Sequence, residues 1–197
     1  VDVRSVGAGG GSIAHVDVLG RIAVGPESAG ADPGPACYGR GGTLPAVTDA
    51  NLLLGRYDPE KFAGGRLALD PAKAGAAMAK AIGEPLGLPP EMAALGVVEM
   101  VDENMANAGR VHAIESGKGF DGRTLIAFGG GGPVHGLRVA EKCGITRQGW
   151  TSYMYPFNLT GHPALSVPSG FAADGLPTAV QIVGPWEIAC GGGGDTY

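Results

Sequence analysis

The sequence predicts an α/β fold, on three observations. Strand-like runs flank a glycine cluster near the N-terminus, with Val1–Val6 before Gly7–Ser12 and Ile13–Val18 after it. A long stretch opened by Pro89-Pro90 repeats apolar residues at helical spacing. Thr124–Phe128, Gly129–Gly132 and Val134–Cys143 then read in the order strand, glycine turn, helix.

In chain order, Ile13–Val18 and Arg21–Val24 flank Leu19-Gly20 as a hairpin, although Leu-Gly is a poorer turn pair than Asn-Gly. Gly25–Gly42 is rich in small residues and prolines and reads as one long loop, a length that is usually functional or disordered. Thr48 or Asp49 caps a short helix through Leu52, Leu53 and Leu54. Asp70-Pro71 is a helix-start pair, an N-cap acid before a proline at the first helical position, and the Ala-rich helix after it ends near Gly83. The longest helix places Leu95, Val98, Val101 or Asp102, Met105, Ala108 and His112 on one face, with Glu99, Glu103 and Arg110 on the other, and stops around Ser116-Gly117. From Arg147 onward the chain turns aromatic and proline-punctuated, which suits strand edges and turns. A boundary is expected near Ile145–Gly149, giving domains 1–145 and 146–197.

Composition narrows the function classes. With 44% apolar and 17% charged residues, the 197-residue chain can bury a core. Its 37 glycines and 15 prolines sit in clusters between apolar segments, which points to loops that bring backbone close to a ligand. A net charge of −5 without any basic run argues against nucleic acid and acidic membrane surfaces as partners. Cys37, Cys143 and Cys190 are odd in number and widely spaced, so a disulfide framework is not expected and a reducing cytoplasm is. No signal peptide is visible, and apolar runs such as Leu95–Val98 fall far short of the ~20 residues that span a bilayer. The absence of an initiator Met suggests a piece of something longer.

Two glycine clusters carry most of the chemical signal. Gly7–Ser12 lies between strand-like runs, where free backbone N–H groups can meet phosphate oxygens and Ser12 adds a donor; taken alone, these residues favour a plain glycine turn. No lysine stands in the Walker A position, so it is not a P-loop. The second cluster ends at Gly132, where a helix begins, so the helix dipole faces whatever lies over the glycines. His135 falls in the first helical turn, where the dipole disfavours its cation; it is either a packed histidine or a neutral imidazole for metal or proton. Cys37, Asp49 and His135 are ligand-type residues, a mixed set that a divalent ion such as zinc accepts, though they lack any short-range pair. His15 and Asp17 share a strand face, either toward substrate or toward solvent.

The segment Gly25-Pro26-Glu27-Ser28-Ala29-Gly30-Ala31-Asp32-Pro33-Gly34-Pro35-Ala36-Cys37-Tyr38-Gly39-Arg40, followed by Val47-Thr48-Asp49-Ala50-Asn51, resembles the signature of the hydantoinase A/5-oxoprolinase family. Ser5–Ala14, Gly25–Arg56 and Ile126–Ile145 match that family's C-terminal half in order and spacing, covering about residues 1–145. The resemblance implies the C-terminal lobe of an actin-like ATPase fold, as in sugar kinases and chaperones. It makes Gly9, Gly10, Gly11 and Ser12 the second phosphate loop and Gly129, Gly130 and Gly131 the adenosine-side loop for ATP with Mg2+. It further implies opening of a cyclic amide such as a hydantoin or 5-oxoproline, with a hydantoinase B-like subunit as partner.

The tail resembles a second family. Tyr155–Pro168, Gly175-Leu176-Pro177 and Gln181–Pro185 are similar to the C-terminal segment of amidase-signature enzymes, over about residues 150–186. That family's Ser–Ser–Lys core has no counterpart here, so His162 and Ser166 read as loop and strand residues, and amidase activity is disfavoured. The expected whole is an ATPase lobe joined near Thr146 to an incomplete amidase-like tail whose strands Ala164–Val167 and Ala179–Val183 lack their sheet. An isolated chain of this kind is expected to be inactive. The rival expectation is a non-catalytic nucleotide-binding or interaction module that needs a partner chain.

Overall fold

The computed structural model describes residues 5–123, 125–127 and 129–145 in full, and the backbone of Ala164–Phe171 and Pro177–Val183. The chain divides into two compact units, Val1–Ile145 and Thr146–Tyr197.

The first unit opens with the hairpin of β1 (Ser12–Val16) and β2 (Ile22–Ser28), antiparallel, with Ala14 opposite Val24 and Val16 opposite Ile22. The Asp17 carboxylate compensates for the weak Leu-Gly turn. Its Oδ1 accepts from the Leu19 and Arg21 amides, each at 2.9 Å, and its Oδ2 receives the Arg21 guanidinium at 2.8 and 2.9 Å. Asp17 therefore serves the turn, and the backbone N–H of Arg21 is the first cause holding its carboxyl below the usual range. Of the predicted Val1–Val6 strand, residues 1–4 lie outside the described residues, and 5–6 form no strand.

Helix α1 (Val47–Leu53) starts one residue earlier than its predicted caps, with Ala46 at the N-cap and Asp49 in the first turn. Helix α2 (Pro71–Met78) begins as predicted: Asp70 accepts from the amides of Ala72 and Lys73 at 3.0 and 3.1 Å. It passes into a π-turn at Ala79–Gly83 and the single turn α3 (Glu84–Leu86), and left-handed Gly87 ends it. Helix α4 (Pro90–Glu115) crosses the unit. Its buried seam is Ala93, Ala94, Val97, Val98, Val101, Asp102 and Ala106, rotated from the predicted stripe so that Leu95 is exposed. The small residues let α4 come close to β2: a Cβ on Gly96 would lie 2.5 Å from Ile22 Cδ1. The seam joins Ala14, Val24, Val47, Ala50, Met78 and Ile82 in the main core.

Helix α5 (Gly132–Lys142) packs on α4. Arg138 of α5 grips Glu99 of α4 through Nε and Nη2 at 2.9 and 3.0 Å, and Lys142 reaches Glu99 and Glu103, each at 3.1 Å. Arg110 pairs with Glu103 and donates to the Lys142 carbonyl at 2.9 Å. The charged face predicted on the long helix is thus the seat of α5. Residues 125–127, in the predicted strand before the glycines, are not in a strand, and 124 and 128 lie outside the described residues.

In the second unit, β3 (Ala164–Phe171) and β4 (Pro177–Val183) pair antiparallel, with Leu165 opposite Ile182 and Val167 opposite Val180. The two tail strands expected to lack a sheet therefore supply one another with a partner. His162 and the Ser166 side chain lie outside the described residues.

Candidate functional site

The two glycine loops are built in different ways. In loop 7–12 the Gly10 carbonyl accepts from both the amide and the hydroxyl of Thr48, at 2.8 and 2.9 Å, which ties the loop to the first turn of α1. The Gly11 carbonyl accepts from Ala29 N at 2.8 Å. A Cβ on Gly10 would stand 2.9 Å from Thr48 Oγ1, and one on Gly11 2.8 Å from Ser28 Oγ. These two glycines are required by the protein's own packing, while Gly9 faces open space. Ser12, expected as a phosphate donor, is turned inward: its buried Oγ accepts from Gly9 N at 3.0 Å and lies 3.4 Å from the Gly7 carbonyl. It closes the turn instead of facing outward.

Loop 129–132 is bare. A Cβ on any of Gly129, Gly130, Gly131 or Gly132 would meet nothing within 4 Å among the described residues. Gly129 has φ +91°, a region that favours glycine, and Gly131 caps α5 with no side chain over the helix N-terminus. One turn on, Gly136 is held by close packing, since its Cβ would lie 2.8 Å from that of Ala127. A cavity of about 210 Å3 opens beside the loop between Met105, Leu125, Ile126, Gly132 and His135. A larger recess of about 460 Å3 lies elsewhere on the unit, between Gly39, Gly41, Lys73 and Lys80, and contains none of the predicted phosphate-loop or metal residues.

Helix α1 stands between the two loops. Thr48 holds loop 7–12, and three residues later Asn51 meets α5: its Nδ2 is 3.2 Å from His135 Nε2, while its Oδ1 accepts from Arg56 Nη1 at 3.2 Å. His135 Nδ1 lies 2.6 Å from Asp102 Oδ1 on α4. His135 is 3% exposed and Asp102 and Asn51 are fully buried. The histidine of the first α5 turn is thus packed and also fully hydrogen-bonded. The sequence alone does not pair His135 with Asn51, Arg56 and Asp102 because the cluster is assembled from three separate segments, 51–56, α4 and α5; Asp102, a buried acid within an apolar stripe, is the one local signal.

The structure does not bring Cys37, Asp49 and His135 together as a metal set. Asp49 is fully engaged: Oδ2 accepts from the amides of Ala36 and Ala46 at 3.2 and 2.7 Å, and Oδ1 from Cys37 N at 2.7 Å. Both His135 nitrogens are engaged by Asp102 and Asn51. Burial, and then the adjacent Asp49 carboxylate, push the Cys37 thiol far above its usual range, so it stays protonated and is a poor ligand or nucleophile. Among the described residues no group of three or more His, Cys, Asp or Glu is placed to hold a metal ion. Asp49 instead pins the Ala36–Ala46 loop to α1.

The hydantoinase/oxoprolinase family model matches residues 1–161. The chain belongs to this family. The match passes the unit boundary and enters the tail expected to belong to a second family. Caprolactamase subunit alpha of Pseudomonas jessenii is 46% identical over 146 residues, covering 73% of this chain and 21% of the relative. The acetophenone carboxylase gamma subunit of Aromatoleum aromaticum is 49% identical over 132 residues, covering 66% and 18%. The crystal structure of the ATP-dependent caprolactamase from Pseudomonas jessenii matches with a TM-score of 0.66 and 45% identity, over 73% of this chain and 21% of that one. The chain therefore spans about one fifth of the length of these relatives. Among the described residues, no helix is long and apolar enough to cross a membrane.

Proposed function

We propose that residues 5–145 are the nucleotide-facing lobe of an ATP-dependent cyclic-amide hydrolase, of actin-like ATPase architecture and completed by chain outside this sequence. The observation that carries the proposal is the bare loop 129–132, whose four glycines have no packing reason among the described residues and which runs into an uncapped helix N-terminus. The loop suits a flat ring or ribose lying on backbone, and the adjoining cavity has room for part of one. ATP with Mg2+ would supply the phosphoryl group that activates the amide oxygen and makes the carbonyl carbon a better electrophile, so that the ring C–N bond can break. The chain's own contribution is positional: Gly129–Gly131 give close approach, the α5 dipole favours the anion, and Thr48 and Asn51 hold both loops to one helix.

The substrate class, a lactam or related cyclic amide, is proposed from the family and from the caprolactamase relative. Relatives named as alpha and gamma subunits support a partner of hydantoinase B type. We read residues 150–186 as an amidase-like fragment that brings no chemistry of its own. The span of about one fifth of the relatives favours an inactive isolated chain, because a half-cleft lacks the positioning that lowers barriers.

Gly130→Val tests the site. The structure has space for the side chain, so the variant should keep the parent's melting temperature, while titration calorimetry should show Mg–ADP binding weakened at least about tenfold by loss of close approach. Equal affinity in the folded variant removes the loop from the nucleotide site.

A further inference from the structure

We infer that Asn51 is a positioning residue for the bare glycine loop: oriented by Arg56, its amide donates to Nε2 of a His135 whose proton sits on Nδ1 toward Asp102, and thereby fixes α5 against α1. The argument begins with which way the amide faces. Oxygen and nitrogen of an Asn side chain are told apart by their partners, and a guanidinium offers donors alone. Arg56 Nη1, at 3.2 Å, therefore selects Oδ1, which leaves the Nδ2 donors facing His135 Nε2 at 3.2 Å.

A donor at that distance requires a lone pair on Nε2. The ring proton then sits on Nδ1 and is donated to Asp102 Oδ1 at 2.6 Å. The opposite tautomer would set two N–H groups face to face in a buried site, at the cost of both hydrogen bonds. Each of the three contacts in the series Arg56, Asn51, His135, Asp102 then pairs a donor with an acceptor, so the order is directional from Arg56 inward. Asp102 Oδ2 is buried with no hydrogen-bond partner among the described residues, so the bond from His135 is the one that offsets burial of this carboxyl group.

The consequence for the loop follows from its bareness. No packing against the described residues sets the position of Gly129–Gly132, so α5 sets it. Helix α5 is held at its far end by the Glu99, Arg138 and Lys142 ion pairs, and at its loop end by His135. The same α1 that carries Asn51 anchors Gly10 through Thr48, so the His135 tautomer fixes the spacing of the two loops. This last step rests on the nucleotide reading given above; the tautomer does not.

The test is long-range proton–nitrogen NMR on the 197-residue chain labelled at its four histidines, at pH 7.5, with the His135 signals assigned by their loss in His135→Gln. The expected pattern is protonated Nδ1 and unprotonated Nε2, the reverse of what free imidazole side chains favour. Asn51→Leu removes the donor from Nε2 while Asp102 keeps the proton on Nδ1, so it should shift the His135 Nε2 resonance and weaken Mg–ADP binding about tenfold, the worth of one buried hydrogen bond. Should Asn51→Leu not fold, Arg56→Leu carries the test: Arg56 is partly exposed, and its loss removes the donor to Oδ1, so the Nε2 resonance should move and Mg–ADP binding weaken in the same direction. A protonated Nε2 in the parent chain, or an Nε2 resonance and an Mg–ADP affinity unchanged by loss of the amide or its orientation, overturns the inference. Absence of Mg–ADP binding by a parent chain showing the expected tautomer overturns the nucleotide reading and upholds the positioning of His135.

Discussion

Loops 7–12 and 129–132 look alike in sequence and differ in why they contain glycine. In the first, Gly10 and Gly11 are glycine because Thr48 and Ser28 leave no room for a Cβ. In the second, nothing among the described residues comes within 4 Å of where a Cβ would stand. The packed loop is glycine for the protein's own sake, and the bare loop has no such reason among the described residues. Four consecutive glycines without a packing reason are costly in backbone entropy, which makes a ligand the better account.

The comparison can be broken first at its most built point. Asp49→Ala would leave the buried amides of Ala36, Cys37 and Ala46 without their acceptor, and urea denaturation should show a loss of about 3 kcal/mol or more. A loss under 1 kcal/mol would mean that the loop is not pinned through this carboxylate. Next, Gly11→Ala forces a methyl group to within 2.8 Å of Ser28 Oγ and should destabilise by about 1–3 kcal/mol, whereas Gly130→Ala should stay within about 0.5 kcal/mol of the parent. Equal effects at the two positions would erase the distinction between the loops.

The α4–α5 clamp sharpens the same comparison at a smaller scale. Arg138, first, and then Lys142 hold the Glu99 carboxyl at about 2, below its ordinary 4.5. A depressed carboxyl stabilises the fold above its unfolded value and loses that contribution as pH falls through the folded one. The difference in urea midpoint between the parent and Glu99→Gln should therefore be present at pH 7 and fade between about pH 4.5 and 2. Because the Glu99 side chain is 39% exposed, the difference should be small and should shrink in salt. A difference independent of pH would assign the clamp to packing.

Local signals explain what the sequence made legible. The Asp70-Pro71 cap, the Pro89-Pro90 start and the glycine turns each act within a few residues, and the structure has them where the pattern put them. The α4 stripe was misplaced because its seam is built from alanines, valines and a glycine that admit close approach, while the larger Leu95 stays outside. The metal set failed for a different reason. Residue type marked Cys37, Asp49 and His135 as ligands, but what each binds depends on partners 12, 13 and 84 residues away. Asp49 reads as a ligand in sequence and proves to be a cap for a distant loop. Ser12 shows the same limit, since nothing local says whether its hydroxyl faces out or closes the turn.

The most direct measurement is hydrogen–deuterium exchange of the chain with and without Mg–ADP, followed by peptide over both loops. Slowed exchange at 129–136 on adding Mg–ADP, with the Gly9 and Ser12 amides, which donate within loop 7–12, already protected before it is added, is the result expected of one bare and one packed loop. Exchange at 129–136 that does not change with nucleotide, in a chain whose helix α4 stays protected, would contradict it.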